Sequence, residues 1–255
     1  MNRVTLFACL FTLMASLIAN SQIAGSMGPT VAPVGCPIKM SITNDTAATI
    51  GTGACYYSVY DAVTGAAVYA PFFCIMIWLP IGPGQTLTTD WPQITAAGAA
   101  VPPGQYTVNI TLPSGAGTYS SSLTIVPATP SSAAITTLGA FRSGKTRHFD
   151  LWAPSAANHP YLVLASASVA TGVPTCAGLF PLDYDFLLVM SLNYNTGVFQ
   201  NTYNSLDAFG SSQLPAIAIP AGVSGVSFNV AFVTIDPNQP CGLSTMSAAE
   251  PITIL

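Results

Sequence analysis

The sequence predicts an all-β protein made of two antiparallel β-sandwich domains behind a cleaved export signal. Three observations carry that prediction: apolar residues alternate with polar ones in short runs, 21 Gly and 21 Pro interrupt those runs, and the first residues have the pattern of a secretion signal. In Gln105-Tyr106-Thr107-Val108-Asn109-Ile110-Thr111-Leu112 every second side chain is apolar. Such a period puts one face of a strand on a core and the other in water. Ile38, Met40 and Ile42 alternate in the same way, as do Cys55, Tyr57 and Val59, and Val226, Phe228, Val230 and Phe232. Helical periodicity is hard to find, and short alternating runs between turn residues are the pattern of sandwiches.

Met1 to Ser21 reads as a secretory signal. Arg3 precedes an apolar stretch from Val4 to Ala19, and Ala19-Asn20-Ser21 places small residues where a signal peptidase inspects the chain. The expected mature start is Gln22. Thr5, Thr12 and Ser16 interrupt the stretch, which is short against the roughly 20 residues that span a bilayer, so no transmembrane span is expected in the mature chain. Residues 22–35 are rich in Gly and Pro without alternation and are expected to be a flexible lead-in. Pro127-Ala128-Thr129-Pro130-Ser131-Ser132 has the composition of a linker. With residues 127–134 as that linker, the first domain spans 36–126 and the second 135–255.

Charge is scarce. Only 5% of residues are Asp, Glu, Lys or Arg, far below the roughly 25% of ordinary soluble domains. The formal net charge of -4 and the absence of a basic stripe exclude nucleic acid as a partner, because phosphate binding rests on clustered cations. Of six cysteines, Cys9 leaves with the signal, and an odd number remains in an oxidising compartment. Cys176 and Cys241 are predicted to pair with each other, being alone in the second domain. A hairpin centred on Thr64-Gly65 sets Cys55 opposite Cys74 and leaves Cys36 over. Pairing of Cys36 with Cys55 or Cys74 stays open, as does a bond between chains.

Titratable chemistry is sparse as well. His148 and Asp150 share one strand face by the period of two, the geometry of a base and its orienter, and Trp152 joins that face. Phe149 and Leu151 point the other way, inward, so His148, Asp150 and Trp152 form a possible ligand face directed to solvent. No nucleophile signature accompanies them, and no catalytic residue is assigned. His159, before Pro160, reads as a loop residue. Asp183 and Asp185 also share a face and are read first as turn caps and second as calcium ligands, with Asp207 and Asp236 as further acids of that domain. No other cofactor is expected. Trp78, Trp91 and Trp152, with Tyr56 and Tyr60, are the aromatic candidates for stacking on carbohydrate, against core packing as their ordinary fate.

Pro102-Pro103-Gly104 has the chemistry of a type II turn, and it sets Tyr106 where immunoglobulin-like sandwiches tie down a corner with a tyrosine hydroxyl. Trp91, Gly98, Val101-Pro102-Pro103-Gly104 and Tyr106, preceded by Pro83-Gly84, resemble the signature of the BsuPI-type intracellular proteinase inhibitor domain, which implies an immunoglobulin-like sandwich. Secretion departs from that family, and no inhibitory residue can be carried over. Tyr161-Leu162-Val163-Leu164, Pro181-Leu182-Asp183-Tyr184-Asp185, Leu206-Asp207-Ala208-Phe209-Gly210 and Ala218-Ile219-Pro220 resemble a C-terminal domain of secreted planctomycete-type bacterial proteins, implying a second immunoglobulin-like or jelly-roll-like sandwich without assigned chemistry. The expected function is a non-enzymatic extracellular or cell-surface module that presents loops to protein or glycan. The alternative is a secreted inhibitor of subtilisin-like proteinases, acting through the loop Trp91 to Gly104 or the turn Asp61 to Ala66. An outer-membrane barrel is a weaker third reading, since its strands need longer unbroken alternation.

Overall fold

A computed structural model describes residues 22–71, 77–129, 131–193 and 197–255; the export signal expected over residues 1–21 and the cysteine at position 74 lie outside them. The first sandwich closes two sheets over one core. A three-stranded antiparallel sheet runs in the order Ile23–Gly28, Ile38–Asn44, Thr86–Trp91. Facing it, a five-stranded sheet runs Val31–Pro33, Thr118–Val126, Gly104–Thr111, Tyr57–Asp61, Ala67–Tyr69, antiparallel except for its first pair. The alternation read from the sequence puts Ile38, Met40 and Ile42 on one inner face and Tyr106, Val108 and Ile110 on the other, and all are buried together with Trp91. Burying each such side chain stabilises the fold by roughly 1.5–3 kcal/mol.

The flexible lead-in expected over residues 22–35 is instead part of this sandwich. Ile23–Gly28 pairs along its length with Ile38–Asn44, and after the cis Gly28-Pro29 bond the chain crosses to the other sheet, where Val31–Pro33 lies parallel to Thr118–Val126. The sequence hid the strand because glycine replaces the apolar residues that would have shown its period. Gly25 leaves room for Tyr119, whose Cβ and Cγ would lie 2.6 and 2.8 Å from an added Cβ. The expected linker also yields its last two residues to the fold, since Ala133 and Ala134 are buried and Ala134–Leu138 is a strand.

Tyr106 ties the corner as expected: its hydroxyl donates to the Pro102 carbonyl at 2.7 Å. The hairpin around Thr64-Gly65 forms too, with Asp61 Oδ1 accepting from the Val63 and Thr64 amides at 3.0 and 2.7 Å. Its register shifts between Val59 and Tyr60. Cys55 is disulfide-bonded, while the cysteine at position 74, the partner that the hairpin assigns to it, is outside the described residues. Cys36 is free and buried, so it is not paired with Cys55.

The second sandwich pairs Ala134–Leu138, Thr146–Trp152, Ala216–Ala218 and Phe199–Gln200 in one sheet, with Ser211–Ser212 also beside Thr146–Trp152. Its other sheet runs Tyr203–Ser205, Pro160–Ser166, Ser227–Ile235, Leu243–Met246, with Glu250–Thr253 against the far part of Ser227–Ile235. Phe149, Leu151, Tyr161, Val163, Val230 and Phe232 fill the space between the sheets. A single α-helix among the described residues, Phe186–Leu192, packs Leu188 with Leu164, Leu182 and Val233 in a smaller core. Cys176 and Cys241 form the predicted disulfide.

Tyr106→Phe removes one buried donor and leaves the ring in place. It is expected to lower unfolding stability by about 1 kcal/mol, read as a reduced urea midpoint with unchanged slope; an unchanged midpoint would deny the corner bond any energetic role.

Candidate functional site

The charges that the sequence supplies so sparingly gather where the two sandwiches meet. Asp45, in the loop after Ile38–Asn44, stands 2.7 Å from Arg142 Nε and 3.6 Å from an Arg147 terminal nitrogen of the second sandwich. Lys39, on the outer face of the first sandwich, lies 3.0 Å from Asp150 of the second and 3.0 Å from Asp90 of its own. Three of the five Lys and Arg residues therefore bridge the units. Two backbone bonds add to them: Ala140 N–H donates to Thr43 Oγ1 at 3.1 Å, and Thr30 N–H to Glu250 Oε2 at 2.8 Å.

Close approach at this junction depends on two glycines. A Cβ on Gly28 would meet Glu250 Oε1 at 2.9 Å and Thr136 Cγ2 at 3.1 Å. Gly139 has φ +86°, and a Cβ there would meet Thr43 Oγ1 at 2.9 Å and Thr86 Oγ1 at 3.0 Å. Ala134 and Trp152, although carried by the second sandwich, pack on the core of the first.

This geometry revises the expected ligand face. His148 is exposed, whereas Asp150 is bound by Lys39 and Trp152 is half-buried against the first sandwich, so the Asp150 and Trp152 part of the face looks across the junction. The period of two assigned the face correctly, and Phe149 and Leu151 do point inward. It could not say that another domain covers it. Asp150 and Trp152 line a cleft of about 310 Å³ with Cys36, Lys39, Asp90 and Asp207.

Electrostatics within that cleft follow from its geometry. Burial alone would lower the Lys39 pKa, but Asp150 and Asp90 together raise it. Asp150 shares its one ammonium with Asp90, so burial prevails there and raises its carboxyl. The Cys36 thiol is pushed up to about 12, first by burial and then by the charge of Asp150. A thiol held protonated is neither a nucleophile nor a ready metal ligand.

Asp183 and Asp185 act as the turn caps of the first reading. Asp183 accepts from the Ala170, Thr171 and Gly172 amides at 2.9, 2.7 and 2.7 Å and from the Thr171 hydroxyl at 2.8 Å. Asp185 caps the helix through Leu188 N–H at 2.8 Å and accepts from Ser166 Oγ and Ala167 N–H on its other oxygen. A ring of N–H groups favours the ionised carboxylate. The Asp183 carboxyl is accordingly held far below the usual carboxylate range, by its bonds to Ser168 first and Thr171 next. Asp207 and Asp236 close turns of their own, on Phe209 N–H and Asn238 N–H. Among the described residues no group of three or more His, Cys, Asp or Glu could hold a metal ion.

The aromatic candidates divide. Trp91 is buried and donates through Nε1 to the Ile94 carbonyl, and Tyr56 is buried with its hydroxyl on the Met40 carbonyl. Tyr60 is half-buried, whereas Trp78 is exposed and lies across Gly51. Unforeseen were Tyr184 and Phe186, 76% and 78% exposed. They alternate with Asp183 and Asp185, and Asp185 is extended (φ -135°, ψ -178°), so the two carboxylates point into the fold while the two rings point out. The signal was present as Asp-Tyr-Asp-Phe, an alternation with its aromatics on the polar side. His159 is half-buried in its loop, and the Asp236 carboxyl is held below its ordinary value first by the Asn238 backbone N–H.

No protein-family model matches the chain, and no curated protein matches it. Solved structures similar to it include red sea bream transglutaminase (6% identity, TM-score 0.30, 92% of this chain and 31% of that one). Dimeric latent PorU from Porphyromonas gingivalis (10%, 0.30, 91% and 20%) and murine CEACAM1b (8%, 0.27, 91% and 100%) are others. The chain thus spans about a third of the transglutaminase and a fifth of PorU.

Asp45→Asn leaves two guanidinium groups without their carboxylate at a desolvated junction and is expected to cost about 3 kcal/mol, measured by chemical denaturation; a loss below about 0.5 kcal/mol would make the bridge ornamental. A second expectation concerns pH. Burial raises the Glu250 carboxyl to about 7 from an ordinary 4.5. Its contribution to stability is complete below the ordinary value and is lost as pH rises through the raised one. Glu250→Gln should therefore flatten the fall in thermal midpoint between about pH 5 and 8, and equal pH profiles for variant and parent would contradict this.

Proposed function

We propose that this protein is a non-enzymatic extracellular or cell-surface module that presents loops to a protein or glycan partner. The all-β sandwich architecture and the Cys176–Cys241 disulfide are compatible with that setting. Among the described residues no helix is long and apolar enough to cross a membrane. The export signal read at the N-terminus adds the extracytoplasmic location to the proposal.

One observation carries the reading: the outward pair Tyr184 and Phe186 on a loop that Asp183 and Asp185 tie down. Exposed aromatics cost solvation, and large ones on a rigid loop are the residues that dominate binding energy at interfaces. Rigidity matters because a loop that is already ordered spends little entropy on association. The disulfide fastens the neighbouring Val173–Thr175 and Gly178–Phe180 ribbon to the Cys241 turn, and Leu179 on that ribbon is 62% exposed.

The labelled protein is expected to bind intact cells of its source saturably, and the double variant Tyr184→Ser/Phe186→Ser to bind at least ~10-fold more weakly. Its thermal midpoint should stay unchanged, because neither ring is in a core. Equal binding by variant and parent would remove the pair as the contact surface.

A further inference from the structure

Glu250, the chain's one glutamate, is treated differently from the aspartates. Those pair with Lys39, Arg142 or Arg147, or tie down backbone N–H groups of their own loops. Glu250 is 3% exposed, and no basic side chain of the described residues acts on it. Thr30 donates to its Oε2 through both N–H and hydroxyl, at 2.8 and 2.7 Å. Its Oε1 accepts no hydrogen bond from the described residues. A buried carboxylate without a countercharge is costly, and elsewhere this fold pairs or caps its acids.

The unpaired oxygen belongs to a crevice of about 560 Å³ between the two sandwiches, lined by Glu250, Ser26 and Thr30 with apolar walls from Ile23, Leu112 and Ile252. Its size falls within the ~300–1,000 Å³ of small-molecule sites. Ser26 Oγ is itself buried without a hydrogen-bond partner. Ser26 and Gly28 are two apart on one strand and so share a side, and Oε1 stands 2.9 Å from the place of a Gly28 Cβ. Two polar atoms without partners among the described residues thus line one crevice, whose walls carry both apolar side chains and the hydroxyl residues Thr118, Ser121 and Thr137.

We propose that this crevice binds a small organic amine, with its ammonium between Glu250 Oε1 and Ser26 Oγ and its apolar stem along Ile23, Leu112 and Ile252. An ammonium supplies the missing positive charge and enough donors for both acceptors. An alcohol supplies a donor without the charge, and a carboxylate adds a second negative charge. The titratable group facing Glu250 from the first sandwich is the Tyr119 phenol, whose pKa is raised by burial and, further, by Glu250; among the described residues no His, Lys or Arg acts on the carboxyl. The site is separate from the Tyr184 and Phe186 surface, and either can fail without the other.

The test is an NMR titration of the full folded protein with hexylamine, hexanol and hexanoate as probes. Hexylamine is expected to shift the Ser26, Gly28 and Thr30 amides saturably, hexanol at least ~10-fold more weakly and hexanoate not at all. Glu250→Gln keeps an acceptor for Thr30 and should weaken hexylamine by ~10–100-fold, while hexanol is unaffected. Affinity for hexylamine should rise between about pH 6 and 8 as Glu250 ionises. Equal binding of amine and alcohol, an undiminished Glu250→Gln, or shifts that map outside the crevice would each overturn the proposal. If Glu250→Gln does not fold, Ser26→Leu, which fills the crevice from a half-exposed position, should abolish hexylamine binding, and unchanged binding there overturns it equally.

Discussion

The arrangement of this molecule depends on Asp45 held between Arg142 and Arg147. In a chain where 5% of residues carry charge, two of the few cations converge on one carboxylate across a desolvated boundary. Such a contact has little net energy of its own, because desolvation offsets attraction. What it supplies is orientation. Any other mutual placement of the sandwiches would bury these groups unpaired or return them to water with Gly28 and Gly139 pulled from their close contacts. Lys39 with Asp150 fixes a second point, and two points of attachment remove most of the freedom that a linker over residues 127–132 would otherwise allow.

Five of the other acids serve the loops. Asp61, Asp183, Asp185, Asp207 and Asp236 each accept backbone N–H groups of a nearby turn. A carboxylate surrounded by amide donors makes charge-assisted bonds about twice as strong as neutral ones. The loops are thereby ordered by their own backbone, and the Ser- and Thr-rich surface needs no further charge for that purpose.

Strands with strict alternation were legible in the sequence, as Ile38–Asn44, Gly104–Thr111 and Ser227–Ile235 illustrate, since period two reports burial directly. The Tyr106 corner and the Cys176–Cys241 bond were legible from local turn chemistry and from elimination. Ile23–Gly28 was not, because its packing rests on missing side chains, and a residue that leaves room for a neighbour carries no hydrophobic signal. The junction was illegible for a related reason. Lys39, Asp45, Arg142, Arg147 and Glu250 each look like ordinary surface charges in one dimension, and only the placement of one sandwich on another gives them partners. The side on which His148, Asp150 and Trp152 stand was readable, while what stands opposite was not.

The crossing of the chain from Ile23–Gly28 to Val31–Pro33 places the latter parallel to Thr118–Val126, the strand by which the first sandwich leads into the second. When the beginning of the first sandwich and its exit are drawn apart, these two parallel strands slide along each other. Their cross-links, among them Thr124 N–H to the Thr30 carbonyl at 2.8 Å and Val34 N–H to the Val126 carbonyl at 2.9 Å, then carry the tension together instead of opening one after another as in a peeled hairpin. The topology makes the first sandwich a mechanical coupling that resists traction along the chain.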